Sequence, residues 1–271
     1  MKITFGLVVY NEEGLIKRCL ESIKDVADEI IIVHDGSCSD KTLEIASQYT
    51  NNLFVRERLG GSEPHRIFIL QKAKNDWVFM IDADEFLSDE LKYFLNNRGE
   101  RVACGAISFK WPIWNGQVYA TKSNYRPCLF NKKYCWAIGL HNFSIQTQGK
   151  VCRFNYILEH QPKESKIGMH LFSNKLKKRI DRDANRFLLG YGQLEKFNEE
   201  LIPNKFKSWY ARYLRFPFCY AFINFFVHFI GAYKSLYRDG IGGFKVSLQL
   251  GVYQFKLAIK IWNKKREQKL L

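Results

Sequence analysis

Asp82, Ala83, Asp84 and Glu85 set three carboxylates side by side directly after the apolar run at 77–81. Such a run reads as a buried strand, so the acids emerge together where a strand ends. In an open α/β sheet, ligands collect outside the carboxyl ends of the strands, and paired acids there hold a divalent cation against a diphosphate. An isolated Asp-x-Asp is more often a solvated acidic turn. The eighty residues before it decide between the two.

Those residues repeat one unit. The apolar run 3–9 breaks at Tyr10, Asn11, Glu12 and Glu13. Asn11 suits the N-cap of a helix, the glutamates suit its first turn, and Leu15, Ile16, Cys19, Leu20 and Ile23 recur on one face. A second buried-strand pattern at 29–33 leads through His34, Asp35, Gly36 and Ser37 to a polar helix start at 39–42. Residues 52–55 read as a third strand, Gly60 and Gly61 as a turn, and 67–73 as a third helix. This alternation predicts an α/β fold with a parallel, doubly wound sheet and right-handed crossovers.

Val8, Val9, Tyr10, Asn11 and Glu12, then the 28–33 run with Asp35, Gly36, Ser37, Asp40, Lys41 and Thr42, then Asp76, Trp77 and the acidic turn resemble the ordered motifs of family 2 glycosyltransferases. Within that family they look most like the lipopolysaccharide core β-1,4-glucosyltransferase-like enzymes. The resemblance is dense over 1–95; later it rests on the motif from Arg126 to Phe130, on Gly139 with His141, on Glu159 with His160, and on Asp239, Gly240 and Gly243. It implies the GT-A fold, a nucleotide-sugar donor (UDP-linked by family habit), Mg²⁺ or Mn²⁺, a glycolipid acceptor and inversion at the anomeric carbon. By the same resemblance Val9, Tyr10, Asn11 and Glu12 lie against the nucleotide. Asp35 accepts from the base, Arg66 sits near the phosphates, Asp82 lies near ribose and metal, and Asp84 ligates the metal. His141 is a further metal ligand, or else a packed residue among Trp136 and Phe143. His160 is expected to cap or pack.

An inverting transferase needs a general base, and relatives carry His-Glu where this chain has His141 and Asn142; asparagine cannot take a proton. From Arg101 onward no acid appears until Glu159. Glu85 and Glu159 are therefore the available carboxylates, with Glu85 alternatively capping a helix that begins near Ser88. The missing base also leaves open a weakly catalytic protein that binds sugar nucleotides or acts as a membrane scaffold. An acceptor on polyprenyl phosphate or a capsular intermediate is the alternative among enzymes.

The net charge of +15 divides unevenly. Residues 1–100 hold 12 Lys/Arg and 18 Asp/Glu (−6), and 101–271 hold 30 and 9 (+21). A basic second half suits a polyanion, and without zinc-finger, RNA-motif or helix-turn-helix signals an anionic membrane surface is expected rather than nucleic acid. Residues 216–233 contain no Asp, Glu, Lys or Arg and are rich in phenylalanine, but include Pro217, Asn224, His228 and Gly231. An interfacial helix fits this better than a span. Val246, Leu250, Tyr253, Leu257 and Ile261 form a second apolar stripe opposite lysines, expected on the same leaflet or packed on the domain.

The expected layout is a catalytic domain at 1–160 (nucleotide half 1–100, acceptor half 101–160), an exposed connecting helix within 161–200, and a basic helical region at 201–271. Met1 and Lys2 lead straight into a strand, so no secretory signal is read and a cytoplasmic, membrane-peripheral protein is expected. Seven cysteines without a C-x-x-C pair suggest reduced thiols.

Overall fold

The apolar runs of the first eighty residues become strands with a helix after each of the first three. The computed structural model describes residues 1–97, 104–140, 145–163 and 174–270, the last with side chains for 176–268. In chain order come β1 (Ile3–Val9), α1 (Glu13–Ile23), β2 (Glu29–Asp35), α2 (Thr42–Ser47), β3 (Leu53–Arg56), α3 (Glu63–Lys72), β4 (Trp77–Met80), β5 (Glu85–Leu87) and α4 (Asp89–Asn96). Short strands follow: β6 (Ala106–Lys110), β7 (Ile113–Trp114), β8 (Tyr119–Thr121), β9 (Tyr125–Asn131), β10 (Cys135–Ile138), β11 (Gln146–Thr147) and the longer β12 (Val151–His160). The chain ends with α5 (Asn174–Leu188), β13 (Lys196–Phe197), α6 (Asn204–Arg215), α7 (Pro217–Leu236) and α8 (Gly240–Leu270).

The main sheet runs β3-β2-β1-β4-β9-β6-β12-β5. Its first four strands are parallel, as the βα repeats require, and β9 then enters antiparallel to both β4 and β6. The expected parallel sheet is thus a mixed, mostly parallel one. A register shift between Phe154 and Ile157 bends β12, so its first part pairs with β6 and its last residues pair antiparallel with β5, His160 opposite Glu85. That bend returns the end of β12 to the acidic turn.

Aromatic rings fill one side of the sheet: Phe79 stacks between Phe5 and Phe109, at 4.8 and 5.9 Å between centroids. On the other side α3 packs closely because position 6 is glycine; a Cβ there would lie 2.5 Å from Cγ2 of Ile69. Two local expectations change. Asn11 does not cap α1 but turns the chain in the left-handed region at φ 52°, with Glu12 at the cap position. Ser88, not Glu85, caps α4, accepting from the Leu91 amide at 3.2 Å. All seven cysteines are free, and burial pushes the Cys128 and Cys135 thiols up to about 12.

The C-terminal helices correct one more expectation and decide between two others. α5 is not an exposed connector: Ile180, Ala184 and Phe187 share a core with Ile138 of β10, Tyr213 of α6 and Leu257 of α8. Tyr253 and Arg182 both reach the buried Asp183. Of the α8 stripe, expected on a membrane or packed on the domain, Tyr253, Leu257 and Ile261 are inside this core and Val246 is buried with Ile113 and Leu236, while Lys260 and Lys264 pair with Asp181 at 3.0 and 3.1 Å. No described helix is long and apolar enough to cross a membrane.

Candidate functional site

Three loops meet where β1, β2 and β4 end. Asn11 and Ser39 exchange two hydrogen bonds, Nδ2 to Oγ at 2.7 Å and the Ser39 amide to Oδ1 at 3.0 Å. Asp40 accepts from the amides of Thr42 and Glu13, at 2.9 and 3.1 Å, and the Glu12 amide donates to the Thr42 hydroxyl at 2.6 Å. The turn after β1 is thereby fixed to the turn after β2. Val9, expected at the nucleotide, keeps its side chain in the core beneath this turn, whereas Tyr10 is exposed.

Asp35 closes β2 and is 4% exposed. Its carboxylate accepts from Arg58 Nη1 (2.7 Å), the Leu59 and Gly60 amides (2.6 and 2.9 Å) and His65 Nε2 (2.8 Å). Burial pushes its pKa up, but the bonds from His65 and Leu59 outweigh this and hold it below the usual carboxylate range. The Arg58 guanidinium also lies 3.2 Å from the centroid of the Tyr10 ring. A base arriving at this rim meets Tyr10 and Arg58 before it meets Asp35.

Beyond β4 the acids separate by environment. Asp82 is one-third exposed and bonded to Arg66 Nη2 at 2.7 Å and Arg126 Nη2 at 3.2 Å. Glu85 is buried, paired with Arg126, accepting from Trp111 Nε1 at 2.6 Å and from the Asp82 amide at 2.8 Å. Those three donors surround the carboxylate expected to be available as a base. Asp84 faces His160, Oδ2 to Nε2 at 3.4 Å. One carboxylate oxygen from each of Asp82, Asp84 and Glu85 lies within 4.8 Å of the others. Asp82 and Asp84 are the more open pair, and hard oxygen donors of this kind suit Mg²⁺ or Mn²⁺.

His160 is expected to cap or pack. Its ring does stack on Trp111 at 4.2 Å, but its Nε2 also points at Asp84, which only the β12–β5 pairing brings about. His141 and Asn142 lie outside the described residues. Glu159 alternates to the other face of β12, where the Tyr119 hydroxyl donates to it. Burial first, then this bond, raises the Tyr119 pKa. Arg66, expected near the phosphates, reaches the acidic turn through Asp82. Arg126 had been noted only within a motif; neighbouring β9 and β6 bring it and the stem of Trp111 over Glu85.

The model described as glycosyl transferase family 2 matches residues 4–151. The chain is 34% identical over 140 residues to an uncharacterized glycosyltransferase of Rickettsia bellii, an alignment covering 49% of this chain and 47% of that protein. It is 33% identical over 100 residues to the poly(ribitol-phosphate) beta-glucosyltransferase of Bacillus spizizenii, covering 33% and 16%. Among solved structures, residues 1–349 of S. aureus TarS in complex with UDP-GlcNAc align over 98% of this chain and 92% of that one, with 14% identity and a TM-score of 0.46. The chain spans about half the length of the first curated relatives it matches.

Proposed function

Because this chain belongs to glycosyltransferase family 2, we propose that it transfers one sugar from a nucleotide-sugar donor, UDP-linked, to a cell-surface glycolipid such as a lipopolysaccharide core, with inversion at the anomeric carbon. The observation that carries this reading is the placement of Asp35 and of Asp82 with Asp84 at the ends of β2 and β4, the two parallel strands that flank β1. That rim is where an open α/β sheet receives a nucleotide.

The side chains divide the work. Tyr10 and Arg58 offer a ring and a cation to the base, with Asp35 fixing Arg58 from below. Arg66 orients Asp82. Asp82 and Asp84 would hold the divalent ion, with His160, and His141 as a further candidate, supplying nitrogen; the donor set fits Mg²⁺ or Mn²⁺. When bound, such an ion neutralises charge on the departing diphosphate. Glu159, whose carboxylate accepts from the Tyr119 phenol, is assigned as the base that takes the acceptor hydroxyl proton. The relative named for poly(ribitol-phosphate) supports a second reading, in which the acceptor is a phosphate-rich polymer; the +21 charge of residues 101–271 suits that acceptor equally.

The test is a panel of UDP- and GDP-sugars with Mg²⁺ or Mn²⁺, following binding and slow hydrolysis by the native chain and by Asp84→Ala. One donor should bind saturably, with hydrolysis lost in the variant. Absence of binding by any donor, with or without metal, would overturn the transferase.

A further inference from the structure

An ordinary surface helix turns its polar side to water and its apolar side to the core. α7 departs from this: its buried side holds Asn224 beside Pro217, Ala221 and Leu236, while most of its phenylalanines stay outside. Asn224 is buried, and His228 and Tyr220 are half-buried on the same stripe. The opposite side presents Phe218, Phe222, Phe226 and Ile230, with Val227 beside the polar stripe, each about half exposed, and the first turn of α8 adds Ile241 at 75% exposed. Packing alone does not account for this arrangement, because burying the phenylalanines and wetting Asn224 would satisfy both groups better. The medium this side was built for is apolar. An apolar patch of this size marks a docking surface.

Charge indicates which surface docks here. Arg212 and Arg215 stand exposed at one end of α7, Lys234 and Arg238 at the other. Residues 201–271 hold 13 Lys and Arg against Asp239 and Glu267. Asp239 is turned inward, accepting from the Lys122 and Ser123 amides at 3.0 and 3.2 Å and from the Ser123 hydroxyl. A helix of 20 residues is about 30 Å long. With cations at both ends, neither end enters hydrocarbon without cost, so the helix lies flat with its rings inserted and its cations among headgroups.

Resting on the transferase reading above, we infer that the outward face of α7 and the start of α8 lies in the interface of an anionic bilayer, placing the sugar-transfer site beside a lipid-borne acceptor. The tie to the site is direct. Asp239 pins the α7–α8 turn to the β8–β9 loop, Gly242 lies against the Ala120 carbonyl of β8, and Tyr119 of the same strand donates to Glu159.

Flotation of the full chain with vesicles of phosphatidylcholine, alone or mixed with phosphatidylglycerol, tests this. The native chain should partition onto the mixed vesicles, at least about tenfold less onto neutral ones, and the double variant Phe226→Ser, Val227→Ser should lose about tenfold or more on the mixed vesicles. Both positions are exposed, and an unchanged melting temperature confirms that the variant folds. A native chain that stays off anionic vesicles, or a folded variant that partitions as well as the native chain, would overturn the proposal. So would a dimer in light scattering that the same substitutions dissociate without any vesicle binding, which would assign the face to a second copy. Equal partition onto both vesicle types would overturn the anionic assignment. Donor binding is measured on the same samples, so failure of the transferase reading shows separately from failure to bind lipid.

Discussion

Oδ2 of Asp84 stands 3.4 Å from Nε2 of His160, an acid just after β4 facing a histidine at the end of β12. The two meet because β12 bends away from β6 and finishes against β5. If His160 helps to hold or orient the ion, His160→Ala should raise the Mn²⁺ concentration for half-maximal donor hydrolysis by about 10–100-fold, the usual scale for a lost supporting ligand. His160→Phe, which keeps the ring on Trp111, should show the same defect with little loss of stability. A metal dependence unchanged in both variants would reduce His160 to packing.

Glu85, which is buried, pairs with the half-buried Arg126 beneath Trp111. Removing one partner strands the other charge in the core, so Arg126→Met should destabilise the chain by about 3–5 kcal/mol in urea unfolding. Glu85→Met with Arg126→Met should recover much of that loss, since an apolar pair leaves no charge unpaired. Additive losses in the double variant would contradict a pair that acts as a unit.

How much of this was legible in the sequence depends on how local the cause is. β1, β2 and β4 were readable because each is a continuous apolar run ended by polar residues, and Asp35, Asp82 and Asp84 were readable as acids at strand ends. Arg126, Trp111 and His160 were not, because their places depend on β9, β6 and β12 folding back onto the acidic turn, and no local pattern reports such pairings. Periodicity also reveals a face without saying what it faces. The α8 stripe through Tyr253 and Leu257 suits a membrane or a packed domain equally, and it is buried in protein. The polar stripe of α7 at Asn224 faces inward, leaving the phenylalanines outside. Asn11 looked like a cap, yet its left-handed backbone serves the turn that grips Ser39.

The Asp40 clamp between the turns should be visible in acid. Burial pushes this carboxyl up, but bonds from the Thr42 hydroxyl and amide and the Glu13 amide outweigh it and bring the pKa to about 2. An unfolded aspartate titrates near ~3.9, so the unfolded chain binds the proton first as pH falls. The stabilisation is complete above about pH 4 and is lost as pH falls through about 2. Asp40→Asn should therefore melt lower than the native chain at pH 7, with the gap closing towards pH 2. A gap independent of pH would show that the clamp does not depend on charge.

Glu159 and Tyr119 make a separable kinetic prediction. Glu159→Gln keeps the shape and removes the basic oxygen, so transfer should fall by about 10²–10⁴-fold in kcat while donor KM stays within about twofold. Tyr119→Phe should cost much less, since it deletes only a bond to the base. A Glu159→Gln enzyme with native kcat would return the base to the undetermined list of groups near the acceptor.

Two glycines in the C-terminal hairpin should respond to alanine with opposite signs. Gly231 sits inside α7 with nothing within 4 Å of where a Cβ would stand. Alanine there gains helix propensity without a clash, and Gly231→Ala should stabilise by about 0.5–1 kcal/mol. At Gly242 the added Cβ would lie 2.2 Å from the Ala120 carbonyl oxygen, a backbone atom of β8 that cannot rotate aside. Gly242→Ala should therefore destabilise by about 1–3 kcal/mol as α8 is forced off the strand. Because β8 carries Tyr119, this variant should also weaken transfer, whereas Gly231→Ala leaves it unchanged. Urea unfolding beside donor-dependent transfer reads both effects. Equal stability changes at the two positions would mean that α8 is not held against β8.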